Sequence, residues 1–367
     1  MSEKINEKIS EGATYAPPRQ KAQVVERGEF VFSAAHLDHG HIYGMCGSLI
    51  DAGGVLKSVY DPIPERAEGF AKLFNCALAR TEDELLSDKE TRLVAGAAVT
   101  SERCALGLRV MDAGKDYFTD KAPLTTLDQL AAAKAKVAET GRKYMCYFGE
   151  RLHNEASVLA GDLIAEGRIG RVIQVLGLGP HRLGAAGRPD WFFVKENYGG
   201  ILCDIGSHQL EQFLFYTGSD DAVITSSHIA NYNHPEYPGL DDFGDVHLVS
   251  PDGATGYFRL DWFTPDGLQN WGDGRIFILG TEGFIELRKY FELGQKGSHG
   301  SNLYLANGAE ETYINAENTV GFPFFGQLIL DCLNRTENAM TQAHCFKAAE
   351  LAVLAQVNAT ELTGRRV

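Results

Sequence analysis

The chain has 367 residues, 44% hydrophobic and 23% charged, a balance that suits a globular protein with enough apolar residues for two cores. Its formal charge of -15, with no compensating run of Lys or Arg, excludes a nucleic-acid partner. No segment supplies the ~20 consecutive apolar residues of a membrane span, the polar first residues lack a secretion signal's apolar core, and the seven scattered cysteines show no Cys-x-x-Cys spacing, so a reduced, cytoplasmic chain is expected.

Residues 1–22 read as a polar N-terminal extension ending near Pro17-Pro18. Residues 29–35 are a short apolar run without alternation, the signature of a fully buried strand. A His- and Gly-rich loop over 36–41 leads into a helix over 42–51, stopped by Gly53-Gly54. A strand over 55–60, closed by Asp61-Pro62, and an amphipathic helix over 65–74 complete a βαβ unit of a parallel sheet. The alternation continues with strands over 91–98, 116–119 and 143–148 and helices over 102–113 and 127–140.

Past residue 148 the rhythm changes. A helix over 154–166 precedes strand-like segments over 172–178, 222–230, 245–249, 256–263 and 275–279, separated by turns such as Pro251-Asp252-Gly253 and Thr281-Glu282-Gly283. Helices over 324–333 and 343–362 close the chain. The boundaries read as a parallel α/β domain over 23–148 and an α+β domain over 149–367 with a large, mostly antiparallel open sheet.

Chemistry enters at the first strand–helix loop, where a dinucleotide's pyrophosphate would rest on backbone N–H groups. Asp38-His39-Gly40-His41-Ile42-Tyr43 is a degraded glycine fingerprint that keeps only the middle glycine, and an ordinary strand–helix turn reads equally well. Asp61 ends the second strand where a carboxylate would accept bonds from an adenosine ribose and repel a 2′-phosphate; a plain turn start is the alternative. His36, His39 and His41, with Asp38 among them, have the residue types of a metal-dependent hydrolase's cluster, but the loops around Asp61 and Thr100 supply no second set, so no resident metal is expected.

In the second half, Gly199-Gly200 precede Asp204 and His208, four residues apart and so on one face of a helix. A histidine can trade a hydroxyl proton near neutral pH while a carboxylate orients it, although a buried, satisfied Asp–His pair has the same spacing. Lys121 follows a parallel strand at the end where such sheets bind ligands, or is a surface lysine.

In this order Asp120-Lys121-Ala122-Pro123 and Gly199-Gly200 through Asp204 and His208 resemble the Gfo/Idh/MocA family of oxidoreductases, supported by Ala113-Gly114-Lys115, the 164–170 turn and Leu279-Gly280-Thr281-Glu282-Gly283. The resemblance implies a Rossmann domain, NAD (NADP less so) as cofactor, and a small carbohydrate-like substrate: a sugar, polyol or inositol. It implies Lys121, Asp204 and His208 as the catalytic set, with His39, Gly40, His41, Ile42, Asp61, Ala98, Thr100, Asp120 and Lys121 at the cofactor. Arg151 and Lys195 would join Asp204 and His208 at the substrate, and a homodimer or homotetramer would form through the open sheet. The chain departs from the family pattern at Asp120, where Glu is usual, at Ala122, and at the missing outer glycines. A dinucleotide-binding protein without redox turnover is the other reading of that broken loop.

Overall fold

The computed structural model describes residues 23–362 except 296, 298 and 299, so the extension over 1–22 lies outside the described residues. The described chain forms two compact units, one running to Tyr147 and including Gly321–Phe346, the other comprising Phe148–Val320 and the chain from Lys347. Each unit is built from two stretches of sequence.

In the first unit, β1 (Val31–Ala35), β2 (Val55–Tyr60), β3 (Ala77–Leu78), β4 (Leu93–Gly96), β5 (Asp116–Asp120) and β6 (Tyr144–Tyr147) alternate with helices. The sheet order is β3-β2-β1-β4-β5-β6, every pair parallel. Strand order therefore reverses between β1 and β4, the position at which α/β sheets open a ligand crevice at the strands' C-terminal ends. β4, β5 and β6 are buried at every residue, which explains why β4 and β6 show no polar alternation, while β5 buries Asp116, Thr119 and Asp120 among its apolar residues.

Two elements were absent from the sequence reading. β3 is two exposed residues long, too short to carry a pattern. The helix Glu82–Ser87 did carry a signal, since Thr81 caps it by accepting from the Glu84 N–H. The stretch from Gly321 adds the helix Pro323–Asn334, whose Phe324 and Phe325 rings lie 5.9 and 6.3 Å from Phe118. Gln342 then brackets edge strand β6, donating to the Tyr144 carbonyl at 2.7 Å and accepting its N–H at 2.8 Å.

The second unit holds β7 (Val172–Pro180), β8 (Val223–Ala230), β9 (Phe243–Val249), β10 (Thr255–Asp261), β11 (Arg275–Gly280), β12 (Gly283–Arg288), β13 (Asn302–Asn307), β14 (Glu311–Asn315) and β15 (Thr360–Glu361). They form one sheet in the order β14-β13-β12-β11-β7-β10-β9-β8-β15, antiparallel except for β7 with β10 and β8 with β15. The α/β plus mostly antiparallel architecture agrees with the expectation. Strands β12 to β15 were not foreseen, and the last helix ends at Val357 so that Thr360 and Glu361 can pair with β8. The helix Gly206–Thr217 lies over β7, where the Gln209 amide approaches Gly177 and Gly179 so closely that a Cβ at either would fall about 3 Å from it.

All seven cysteines are free, and all but the half-buried Cys76 are buried, as small apolar residues would be. Among the described residues no helix is long and apolar enough to cross a membrane.

Gly107, on the helix Arg103–Asp112, illustrates how tightly the first unit packs: a Cβ there would meet the Tyr144 and Tyr117 rings at 2.5 and 2.6 Å. Overpacking costs about 1–3 kcal/mol, more than the ~1 kcal/mol of helix propensity that alanine returns. Gly107→Ala should therefore lower the urea unfolding free energy. Gly69→Ala, on the helix Pro64–Phe74 where nothing lies within 4 Å of the new methyl, should raise it by about 0.5–1 kcal/mol.

Candidate functional site

In the first unit the site is built where β1, β4 and β5 end. The loop after β1 is fixed to its neighbours through backbone bonds: His36 N–H donates to the Tyr60 carbonyl at 3.0 Å, Ala97 N–H to the His36 carbonyl at 2.9 Å, and His39 N–H to the Ala97 carbonyl at 3.1 Å. The left-handed residue in this loop is His36, at φ 55°, whereas Gly40 takes an ordinary helical φ of -64°. The turn expected of a first glycine is thus made by a histidine, two residues ahead of Asp38. Ile42 is buried within the helix that follows.

That helix, His41–Asp51, starts at Gly40 with no side-chain cap, so its first N–H groups are the natural place for an anion. Asp61 is buried beside the loop. Its carboxylate accepts from Leu37 N–H at 2.6 Å, Ile63 N–H at 2.8 Å and Arg66 Nε at 2.9 Å, while Arg66 also donates to Asp38 at 2.8 Å. The expected ribose acceptor therefore also braces the loop. These features fit a dinucleotide whose diphosphate rests at the helix start and whose adenosine ribose lies at Asp61.

The three histidines separate. His36 turns to Glu82, with Nε2 2.7 Å from Oε2. His39 and His41 turn to Asp120, so the hydrolase cluster of His36, His39 and His41, already set aside on the sequence, is not assembled. His41 donates from Nδ1 to Oδ1 at 2.7 Å, because a carboxylate only accepts. His39 Nδ1 lies 2.7 Å from Oδ2 without the alignment of a hydrogen bond. Burial lowers the pKa of both rings, that of His41 to about 3 even though Asp120 pulls the other way, so both are neutral imidazoles. Burial works against the Asp120 carboxylate, yet the imidazoles and the Arg103 guanidinium hold its pKa well below the usual range.

Lys121 follows directly at the end of β5. Its backbone N–H donates to Asp120 Oδ1 at 2.7 Å and its carbonyl accepts from Arg103. Arg103 also donates to the carbonyls of Ala98 at 2.8 Å and Ala122 at 3.0 Å, and to Asp120 Oδ2 at 3.2 Å. Tyr144 Oη donates to the Pro123 carbonyl at 2.7 Å, and the Lys121–Ala122 peptide is cis. Thr100 is buried at the start of a short turn after β4. The structure thus groups His39, His41, Ala98, Asp120 and Lys121 around one arginine.

In the second unit, Asp204 and His208 do not share one unbroken helix. Ile201–Asp204 and Gly206–Thr217 are separate helical segments, with His208 N–H bonded to Ile205 rather than to the Asp204 carbonyl, which accepts from Ser207 Oγ at 2.9 Å. Both residues are buried, and the His208 ring meets Phe148 edge-on at 6.4 Å. Gly199 and Gly200 have φ of 89° and 86°; a Cβ at Gly200 would strike the Gln356 amide, which accepts from Leu202 N–H at 2.9 Å. The close approach expected of these glycines is to a neighbour in their own unit.

Arg151 is buried against Glu211, donating from Nε at 2.8 and 3.0 Å, with its guanidinium 3.9 Å above Phe215. Lys195 pairs with Asp241 at 2.7 Å. Sequence reasoning missed Arg66, Arg103 and the buried set of Glu150, Gln209, Gln212 and Lys289. Arg66 could have been found as a cation in the first turn of the helix behind Asp61. Lys289, donating to Glu150 at 3.1 Å across 139 positions and to Gln212 at 2.6 Å, leaves no local trace.

Comparison with known proteins follows the same lines. Residues 158–286 match the family model of the GFO/IDH/MocA C-terminal domain. A crystal structure from Erwinia carotovora atroseptica, designated an oxidoreductase, is 50% identical and superimposes with a TM-score of 0.88 over 91% of this chain and 100% of that one. The scyllo-inositol 2-dehydrogenase (NAD(+)) of Bacillus subtilis is 29% identical over 64% of this chain and 66% of its own length. The D-xylose dehydrogenase of Paenarthrobacter nicotinovorans is 28% identical over 50% of this chain, and 47% of its own length is spanned. With this likeness, the strand order of the first sheet and the mixed sheet of the second, the chain belongs to the Gfo/Idh/MocA family of oxidoreductases.

Proposed function

We propose that the chain moves a hydride between NAD(H) and a ring hydroxyl or ketone of a sugar, polyol or inositol-like substrate. The observation that carries the reading is Lys121, fixed at the end of β5 in a sheet of Rossmann order by Asp120 and Arg103. When bound, the nicotinamide supplies the hydride acceptor or donor. The chain's own work is then to position, to stabilise charge and to move one proton.

In the oxidative direction His208 takes the hydroxyl proton, with Asp204 orienting it or the neighbouring hydroxyl. Lys121 stabilises the developing alkoxide, a preorganised charge of the kind that usually dominates such steps. Asp61, Asp38 and Arg66 together carry one net negative charge, which disfavours a 2′-phosphate and supports NAD over NADP. Two dehydrogenases that resemble the chain are named for a polyol and a sugar, scyllo-inositol and D-xylose, which supports that substrate class. Arg151 and Lys195, each held by an acid, support the substrate region as braces.

Three outcomes test the reading. In a panel of cyclic polyols and sugars with NAD and NADP, the native chain should produce NADH absorbance with at least one substrate; NAD binding without turnover on any would favour the non-redox reading. Lys121→Ala should lower kcat by about 10²–10³ while NAD affinity, followed by fluorescence, moves only a few-fold. His208→Asn should lower kcat by about 10²–10⁴. The exposed face of β11 and β12, with Phe277, Leu279 and Phe284 at 38, 43 and 48% exposure, is the surface we assign to a second copy. Light scattering should give at least a dimer, and Phe284→Glu a smaller species.

A further inference from the structure

We propose that His39, His41 and Asp120 form a binding site for one zinc-class divalent cation (Zn²⁺, Co²⁺ or Ni²⁺). The donor atoms of the three residues all lie within 4.8 Å of one another. Two imidazoles and one carboxylate are the donor set that such ions prefer over Mg²⁺ or Ca²⁺, which seek oxygen.

Four observations make this more than a chance grouping. All three ligands sit on anchored backbone: His39 N–H donates to the Ala97 carbonyl at 3.1 Å, His41 opens the helix His41–Asp51 and Asp120 ends β5. His39 Nδ1 lies 2.7 Å from Asp120 Oδ2, so this imidazole already stands beside a carboxylate oxygen with which it would share the ion. The carboxylate is oriented by groups outside the trio, Lys121 N–H at 2.7 Å and Arg103 Nη2 at 3.2 Å, as metal-bound carboxylates commonly are. Burial is graded, since the His39 side chain is 18% exposed while those of His41 and Asp120 are 2% and 0%, so the donors are largely shielded from water and reach the surface at His39.

Binding would replace the His41–Asp120 hydrogen bond by two bonds to the ion, the Nδ1 proton of His41 moving to Nε2 or leaving to solvent. The N···O pairs now at 2.7 Å would open by about half an ångström to suit metal–ligand bonds of roughly 2.0–2.2 Å. The positive charges of Arg103 and Lys121 oppose the ion, so the site holds a single cation and competes poorly with strong chelators. His36, engaged with Glu82, takes no part.

The test uses the full chain, stripped with EDTA and free of dinucleotide, so that its outcome is independent of the hydride-transfer reading. Titration with Co²⁺ should develop the visible bands of a low-symmetry site, saturate near one ion per chain and be reversed by Zn²⁺. His39→Ala and Asp120→Asn should each weaken binding at least ten-fold, and His36→Ala should leave it unchanged, with circular dichroism confirming folded variants. X-ray absorption of the zinc-loaded native chain gives a reading that needs no variant and should show two imidazoles in the first coordination sphere. Absence of the bands, bands retained in His39→Ala, or a zinc sphere without imidazole would overturn the proposal.

Discussion

A carboxylate with no exposed surface is the constraint around which the first unit is organised. Leaving Asp120 ionised and unpaired in the interior would cost several kcal/mol, so the chain must bring donors to it. It does so from three places in the sequence: the loop after β1 through His41, the helix after β4 through Arg103, and the backbone of Lys121. Satisfying one acid thus aligns the ends of three strands. The lysine next to it inherits a fixed position, because its N–H and carbonyl are both held.

The second unit solves a similar problem with a different set. Glu150 lies under Gln209 at 2.8 Å and Lys289 at 3.1 Å, and Arg151 under Glu211, all of them buried. Burial pulls the Lys289 ammonium below its usual pKa range while Glu150 resists the change. Pairs of this kind add little net stability, but removing one partner strands a charge in the interior. They fasten the short helix Gly149–Leu152 to the helix Gly206–Thr217, which carries His208.

Much of the fold was legible because burial imposes pattern. The short apolar strands β1, β4 and β6 could be placed to within two residues at each end, and the helix Leu127–Thr140, capped by Thr126 and Gly141, residue for residue. The turn at Thr281-Glu282-Gly283 was visible, yet its return strand β12 was not, since one face of that strand is solvent-facing and its alternation is brief. The site was legible as residue types and not as partnerships. His39 and Lys121 could be named from their places in the first loop and at a strand end, and Asp120 through the family resemblance, but which histidine turns inward was not announced by the left-handed backbone at His36, where glycine is usual. The break at Ile205 was equally hidden, because each flanking segment reads as helix.

The interleaving of the two units along the chain has a consequence for synthesis. When the ribosome has released residue 147, the first sheet has all six strands, but β6 still lacks Gln342 on its backbone and Phe118 lacks the aromatic pair at 324 and 325. The nascent first unit must wait, incompletely closed, while the whole of β7 to β14 is translated. A cell making this protein therefore handles an unfinished sheet edge throughout the translation of residues 148–320, and chaperone demand should fall on that interval rather than on the finished molecule.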